Sequence, residues 1–133
     1  IEEGRAAAGR TDPHAIVALA VCSLDDTDPA AARAELRAWA SGSLKAQAGL
    51  PQTAATETGR RLEAAIRAAG DSVLPDDVIG EFMAAGSVAD CGRFVGRLLD
   101  AGADRVVLVP NPAGQRTYGG MLEQIRRGAG LLV

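Results

Sequence analysis

Two short apolar runs constrain this chain more than any other feature. His14–Leu24 reads HAIVALAVCSL and Asp104–Pro110 reads DRVVLVP. Both are rich in Val, and both are bounded by turn residues: Asp12-Pro13 and Asp25-Asp26-Thr27-Asp28-Pro29 around the first, Gly102 and Pro110/Pro112 around the second. A continuous apolar run of this length between turn signals predicts a strand buried on both faces, the type found in parallel sheets. Parallel strands need a crossover between them, and the sequence between these two is helical in pattern.

Asp28 fits an N-cap with Pro29 at the first helical position. The helix it starts is expected to run to about Ala40 and end near Gly42, with Ser43–Thr58 mostly loop. Glu57–Ala69 (ETGRRLEAAIRAA) predicts an amphipathic helix with Leu62 and Ile66 on one face and Gly70 as its C-cap. Pro75 opens a short helix through Ala85, with Val78, Ile79, Phe82 and Met83 as its apolar stripe. Ser87 with Asp90 three residues on is a capping box with Asp in place of Glu. The helix that follows buries Val88, Cys91, Val95, Leu98 and Leu99 and stops at Gly102. A last helix is expected over Thr117–Gly128, weakened by Gly119 and Gly120. Ile1–Gly9 reads as the tail of a helix, so the chain is expected to be a fragment or processed product.

The order strand, helices, strand, helix is an α/β pattern. Its 133 residues suit one domain, and a hydrophobic fraction of 47% permits a packed core. Aromatics are only 3%, so alanine fills much of that core and the stability expected of it alone is marginal. A net charge of −3 gives no basis for nucleic acid or an anionic membrane as partner. Cys22 and Cys91 have no metal-ligand spacing, and with no signal peptide or membrane span the expected setting is the reducing cytoplasm.

The stretch from Asp76 to Pro110 resembles the end of the luciferase-like monooxygenase family. The likeness rests on Ala85-Gly86-Ser87 with Asp90, then Ala101-Gly102-Ala103-Asp104, then Val106-Val107-Leu108-Val109-Pro110, and on IEEGRAAAGR before Asp12-Pro13. Cys91-Gly92 and Gly119-Gly120 depart from the family pattern. The resemblance implies a partial (β/α)₈ TIM barrel, with His14–Leu24 as strand seven, Arg105–Val109 as strand eight, and a helical insertion between. It also implies that the two strands pair in parallel. Such a barrel needs about 250 residues, so the N-terminal barrel half is expected to lie outside this sequence. The implied function is a flavin- or deazaflavin-dependent oxidoreductase or monooxygenase, with FMN or coenzyme F-420 as cofactor and a small-molecule substrate. The alternative reading is a non-catalytic helical α/β module that binds a partner protein or self-associates into a homo-oligomer.

In a barrel the chemistry sits at the C-terminal ends of the strands. Two segments qualify: Cys22-Ser23 with Asp25 and Asp26, and the loop Asn111–Arg116. Asn111, Gly114 and Arg116 are the candidate cofactor-binding residues, since glycine lets backbone amides approach a phosphate and arginine binds one bidentately. The plainer reading of that loop is a polar turn built on Pro112 and Gly114. Cys22 reads as a small buried hydrophobe before it reads as a reactive thiol, and Cys91 as an inert core residue. His14, at the start of a strand, is expected on the stabilising face. Asp25, Asp26 and Asp28 lack the spacing of a metal site. The Arg60-Arg61 and Arg126-Arg127 pairs read as solvated faces, and Trp39 and Tyr118 as packing residues. No GxGxxG, P-loop, HExxH or nucleophile elbow is present, and no catalytic residue is assigned.

Overall fold

The structure is a computed structural model, and it describes residues 2–112, 114 and 118–127. The elements are α1 (Glu2–Ala7), β1 (Val17–Leu24), α2 (Pro29–Ala48), α3 (Pro51–Ala54), α4 (Glu57–Ala69), α5 (Asp76–Phe82), β2 (Ala84–Gly86), α6 (Val88–Asp100), β3 (Arg105–Pro110) and α7 (Tyr118–Arg127). The strands form one parallel sheet in the order β2-β1-β3. The expected parallel pairing of the two apolar runs is present, from Val17 opposite Arg105 to Cys22 opposite Pro110.

Two boundaries and one core position differ from the sequence reading. Helix α2 does not end near Gly42 but runs to Ala48. Tertiary contacts offset the roughly 1 kcal/mol that a mid-helix glycine costs. Ser41 Oγ accepts from the Leu74 amide at 2.8 Å, and Lys45 Nζ donates to the carbonyls of Gly70 and Ser72 at 2.7 and 2.8 Å. The helix from Pro75 stops at Phe82, and Ala84–Gly86 is a strand. Its alanines favour helix, but the ladder to β1 and the Asp25 amide donating to Gly86 O at 2.9 Å hold it extended. In α6 it is Phe94, not Leu99, that joins the core. Positions 88, 91, 94–95 and 98 form the stripe, and Leu99 lies at its fringe.

Strand periodicity divides the core in two. Ala20, Cys22, Leu24 and Ala84 pack with Val88, Cys91 and Phe94 of α6 and Met121 of α7. On the opposite face, Val21 and Ala85 pack against Leu36, Ala40, Leu44 and Ala48 of α2, with Leu62 of α4 and Ile79 of α5. The second face is covered over β2 and the C-terminal half of β1. Along β3 and the first half of β1, Val17, Leu19, Val107 and Val109 are 50%, 74%, 46% and 37% exposed, and the register puts Leu19 beside Val107. Among the described residues no helix is long and apolar enough to cross a membrane.

Candidate functional site at the C-terminal ends of the strands

All three strands are parallel, so the loops after Leu24, Gly86 and Pro110 meet at one end of the sheet. The helix after β1 packs on one face and the helix after β3 on the other. Neighbouring parallel strands whose connections diverge in this way leave a crevice outside their carboxyl ends, the usual place for a ligand in an open α/β sheet. That rule places the candidate crevice between β1 and β3.

The two segments singled out in the sequence converge on it. The Asn111 amide donates to Cys22 O at 2.8 Å, and the Gly114 amide donates to Asn111 O at 3.0 Å. Ser23 is 1% exposed, and its Oγ has no hydrogen-bond partner among the described residues. Asn111 is also buried. Gly114 gives Glu35 room: a Cβ there would fall 2.6 Å from Glu35 Oε1, so the Glu35 side chain would have to shift, and 3.1 Å from Asn111 O. Arg116 lies outside the described residues.

Glu35 is the residue that the sequence reading missed. It sits on α2 next to the buried Leu36, in the turn between Ala32 and Leu36, and its Oε1 reaches the loop after β3 at Gly114. The available signal was the cap itself: Asp28 fixes the start of α2 at the end of β1, which places its first two turns above the crevice.

The acidic residues after β1 are structural. Asp25 Oδ1 accepts from the amides of Thr27 and Asp28 at 2.9 and 3.2 Å and from Thr27 Oγ1 at 2.7 Å. Asp26 Oδ1 accepts from the Val88 amide at 2.8 Å, and the Asp26 amide donates to Gln124 Oε1 at 2.8 Å. Asp28 Oδ1 accepts from the Ala31 amide at 2.9 Å, the N-cap read from the sequence. Among the described residues no group of three or more metal-ligating side chains is assembled.

Desolvation pushes the Cys22 thiol up to about 11 and the Cys91 thiol up to about 12. Both are buried in the same core cluster, so neither offers a thiolate at neutral pH. His14 is exposed and precedes β1, at the far end of the sheet from the crevice. The Ser87–Asp90 capping box is present, with both reciprocal bonds formed. The Ser87 backbone amide, followed by the Ser87 hydroxyl, Arg93 and Arg33, holds the Asp90 carboxyl below its usual range against the opposing effect of burial.

Chemically, the described crevice offers a carboxylate, a buried hydroxyl and an amide side chain beside a glycine. That set suits a hydroxylated, uncharged portion of a ligand. None of these four residues carries positive charge, so a phosphate group would rely on Arg116 and on backbone amides. Comparison with protein-family models, with curated proteins and with solved structures gives no match.

Proposed function

We propose that this chain is the C-terminal part of a luciferase-like flavin- or deazaflavin-dependent oxidoreductase. Its crevice between β1 and β3 would receive the cofactor's hydroxylated side chain. The observation that carries the reading is the adjacency of two parallel strands whose C-terminal loops bring Ser23, Asn111 and Gly114 together. When bound, FMN or coenzyme F-420 supplies the hydride or oxygen chemistry. Ser23, Asn111 and Glu35 would orient it by hydrogen bonds to its hydroxyls, with Gly114 leaving Glu35 room beside the Asn111 loop.

The finer form of the reading is a (β/α)₈ barrel with β1 and β3 as strands seven and eight. The uncovered apolar side chains Val17, Leu19, Val107 and Val109 favour it, because parallel sheets are covered on both faces. In that form the sixth strand pairs with β1 at the edge now held by Ala84–Gly86.

Absorbance titration of the natural gene product with FMN and with coenzyme F-420 tests the proposal. Saturable binding of either, weakened by Asn111→Ala, is the expected result. Binding of neither refutes it. The same uncovered patch favours a second reading, in which the chain self-associates. Sedimentation of a cofactor-free gene product of 13.6 kDa subunits as a dimer or larger would select that reading instead.

A further inference from the structure

A second concavity, of about 180 Å³, lies on the outer side of β2, between α5 and α6. Arg33, Arg93 and Arg97 line it, with Phe94 and Met83 as its apolar wall. Its charges do not balance. Asp76 also lines it but is held by Arg37. Glu81, on the same short helix, is held by Arg61. That leaves Asp90 as the carboxylate against three guanidiniums. Asp90 already accepts from the Ser87 amide and hydroxyl at 2.9 Å each, contacts Arg93, and lies 3.3 Å from Arg33. Arg97 donates to Gly80 O at 2.6 Å and lies 5.2 Å over the Phe94 ring.

The backbone adds to this. Gly86 O faces β1, where it accepts from the Asp25 amide. Strand geometry therefore turns the Ala85 peptide groups the other way, towards the groove, and no strand pairs with that edge among the described residues. The local excess of positive charge occurs in a chain whose net charge is −3.

We propose that this groove binds a small organic dianion, a phosphomonoester or a dicarboxylate, through Arg33, Arg93 and Arg97, with its carbon portion against Phe94 and Met83. Guanidinium forks match both phosphate and carboxylate oxygens, and an edge amide adds a donor. The volume, below the roughly 300–1,000 Å³ typical of sites for drug-sized ligands, suits a small anion. The groove is built from α2, α5, β2 and α6 and does not depend on the cofactor proposed at the β1/β3 crevice.

The test is titration of the full chain with inorganic phosphate and, separately, with succinate, at constant ionic strength set with chloride. Amide shifts of Gly80, Ala85 and the residues around Arg93 and Arg97 report binding. Saturable shifts at these positions are expected, with the tighter of the two anions naming the ligand class. Arg93→Gln/Arg97→Gln should weaken binding by about tenfold or more. Arg93→Lys/Arg97→Lys, which keeps the charge and loses the fork, should fall between. Arg126→Gln, on α7, should leave binding unchanged. Shifts that rise linearly without saturating, or equal affinity in the Gln double variant, overturn the proposal. Should that variant fail to fold, equal affinity of wild type and the Lys variant overturns it.

Discussion

Gly86→Ala tests the junction of β2 and α6, where backbone conformation, helix capping and the arginine groove meet. Gly86 has φ +123°, in a region that L residues rarely adopt. Holding alanine there costs about 1–3 kcal/mol. Its Cβ would stand 2.5 Å from Asp90 Oδ2 and 2.6 Å from Arg33 Nη1. Arg33 can swing away, because its contact with Asp90 is long and its side chain is part-exposed. Asp90 cannot move without breaking both bonds to Ser87, and loss of a cap of this kind costs about 1 kcal/mol. The two contributions sum to about 2–4 kcal/mol, a large share of the roughly 5–15 kcal/mol of a typical domain. Urea unfolding followed by the fluorescence of Trp39, the lone tryptophan and half-buried against the core, measures it. Asp90→Ala removes the obstruction but not the strained φ. In the double variant the two costs should therefore fall short of additivity by about 1 kcal/mol, beyond the roughly 0.5 kcal/mol scatter of independent sites. A Gly86→Ala cost near zero, or strict additivity, would refute the reasoning.

Two further outcomes follow from burial and charge. At pH 8 the thiols of Cys22 and Cys91, raised to about 11 and about 12 by desolvation, should resist iodoacetamide in the folded protein and both react in urea; rapid labelling of either without denaturant would contradict their placement. Asp90, held low first by the Ser87 amide, stabilises the fold above the ordinary carboxylate pKa, and that stability is lost as pH falls through its own lower value. Urea midpoints measured from neutral pH down to about 3 should fall less steeply for Asp90→Asn than for wild type, and parallel slopes would show that Asp90 is not the group titrating.

What the sequence revealed is what local chemistry decides. The Asp28 cap, Pro29 at the helix start, the Ser87–Asp90 box and the Gly70 stop each satisfy backbone groups within four residues, and each is present. The two apolar runs were legible as strands because they are short, continuously apolar and bounded by turn residues; the helical stretch between them pointed to a parallel sheet, while their direct pairing was implied only by the family resemblance. What the sequence concealed depends on partners far away. Ala84–Gly86 is a strand because β1, some 60 residues earlier, offers it a ladder. Helix α2 passes Gly42 because Leu74, Gly70 and Ser72 come to meet Ser41 and Lys45. The arginine groove joins residues 57 positions apart at Arg33 and Asp90, and no local pattern announces it. Glu35 reached the candidate crevice only through the path of α2, and Arg116, the cation that the sequence offered there, lies outside the described residues.

The edge of β1 occupied by β2 is where the barrel reading and the arginine groove make opposing demands. A barrel with its strands in sequence order requires a sixth strand beside β1, so Ala84–Gly86 would have to leave the ladder. Leaving it breaks the Asp25–Gly86 bond and shifts the start of α6, to which Asp26 is tied through the Val88 amide. The groove would lose its Ala85 edge and the pairing of Arg33 with Asp90 at the same time. An open sheet in the order β2-β1-β3 keeps all of these and still places Ser23, Asn111 and Gly114 at the crevice between β1 and β3. Asn111 and Gly114 sit on the β3 side of β1 and do not use the β2 edge. The dianion site is compatible with the open sheet alone. Saturable binding of phosphate or succinate at Ala85 thus bears on more than one ligand: it would mean that β2 holds its edge, and that the uncovered face of Val17, Leu19, Val107 and Val109 belongs to an open sheet and not to a barrel interior.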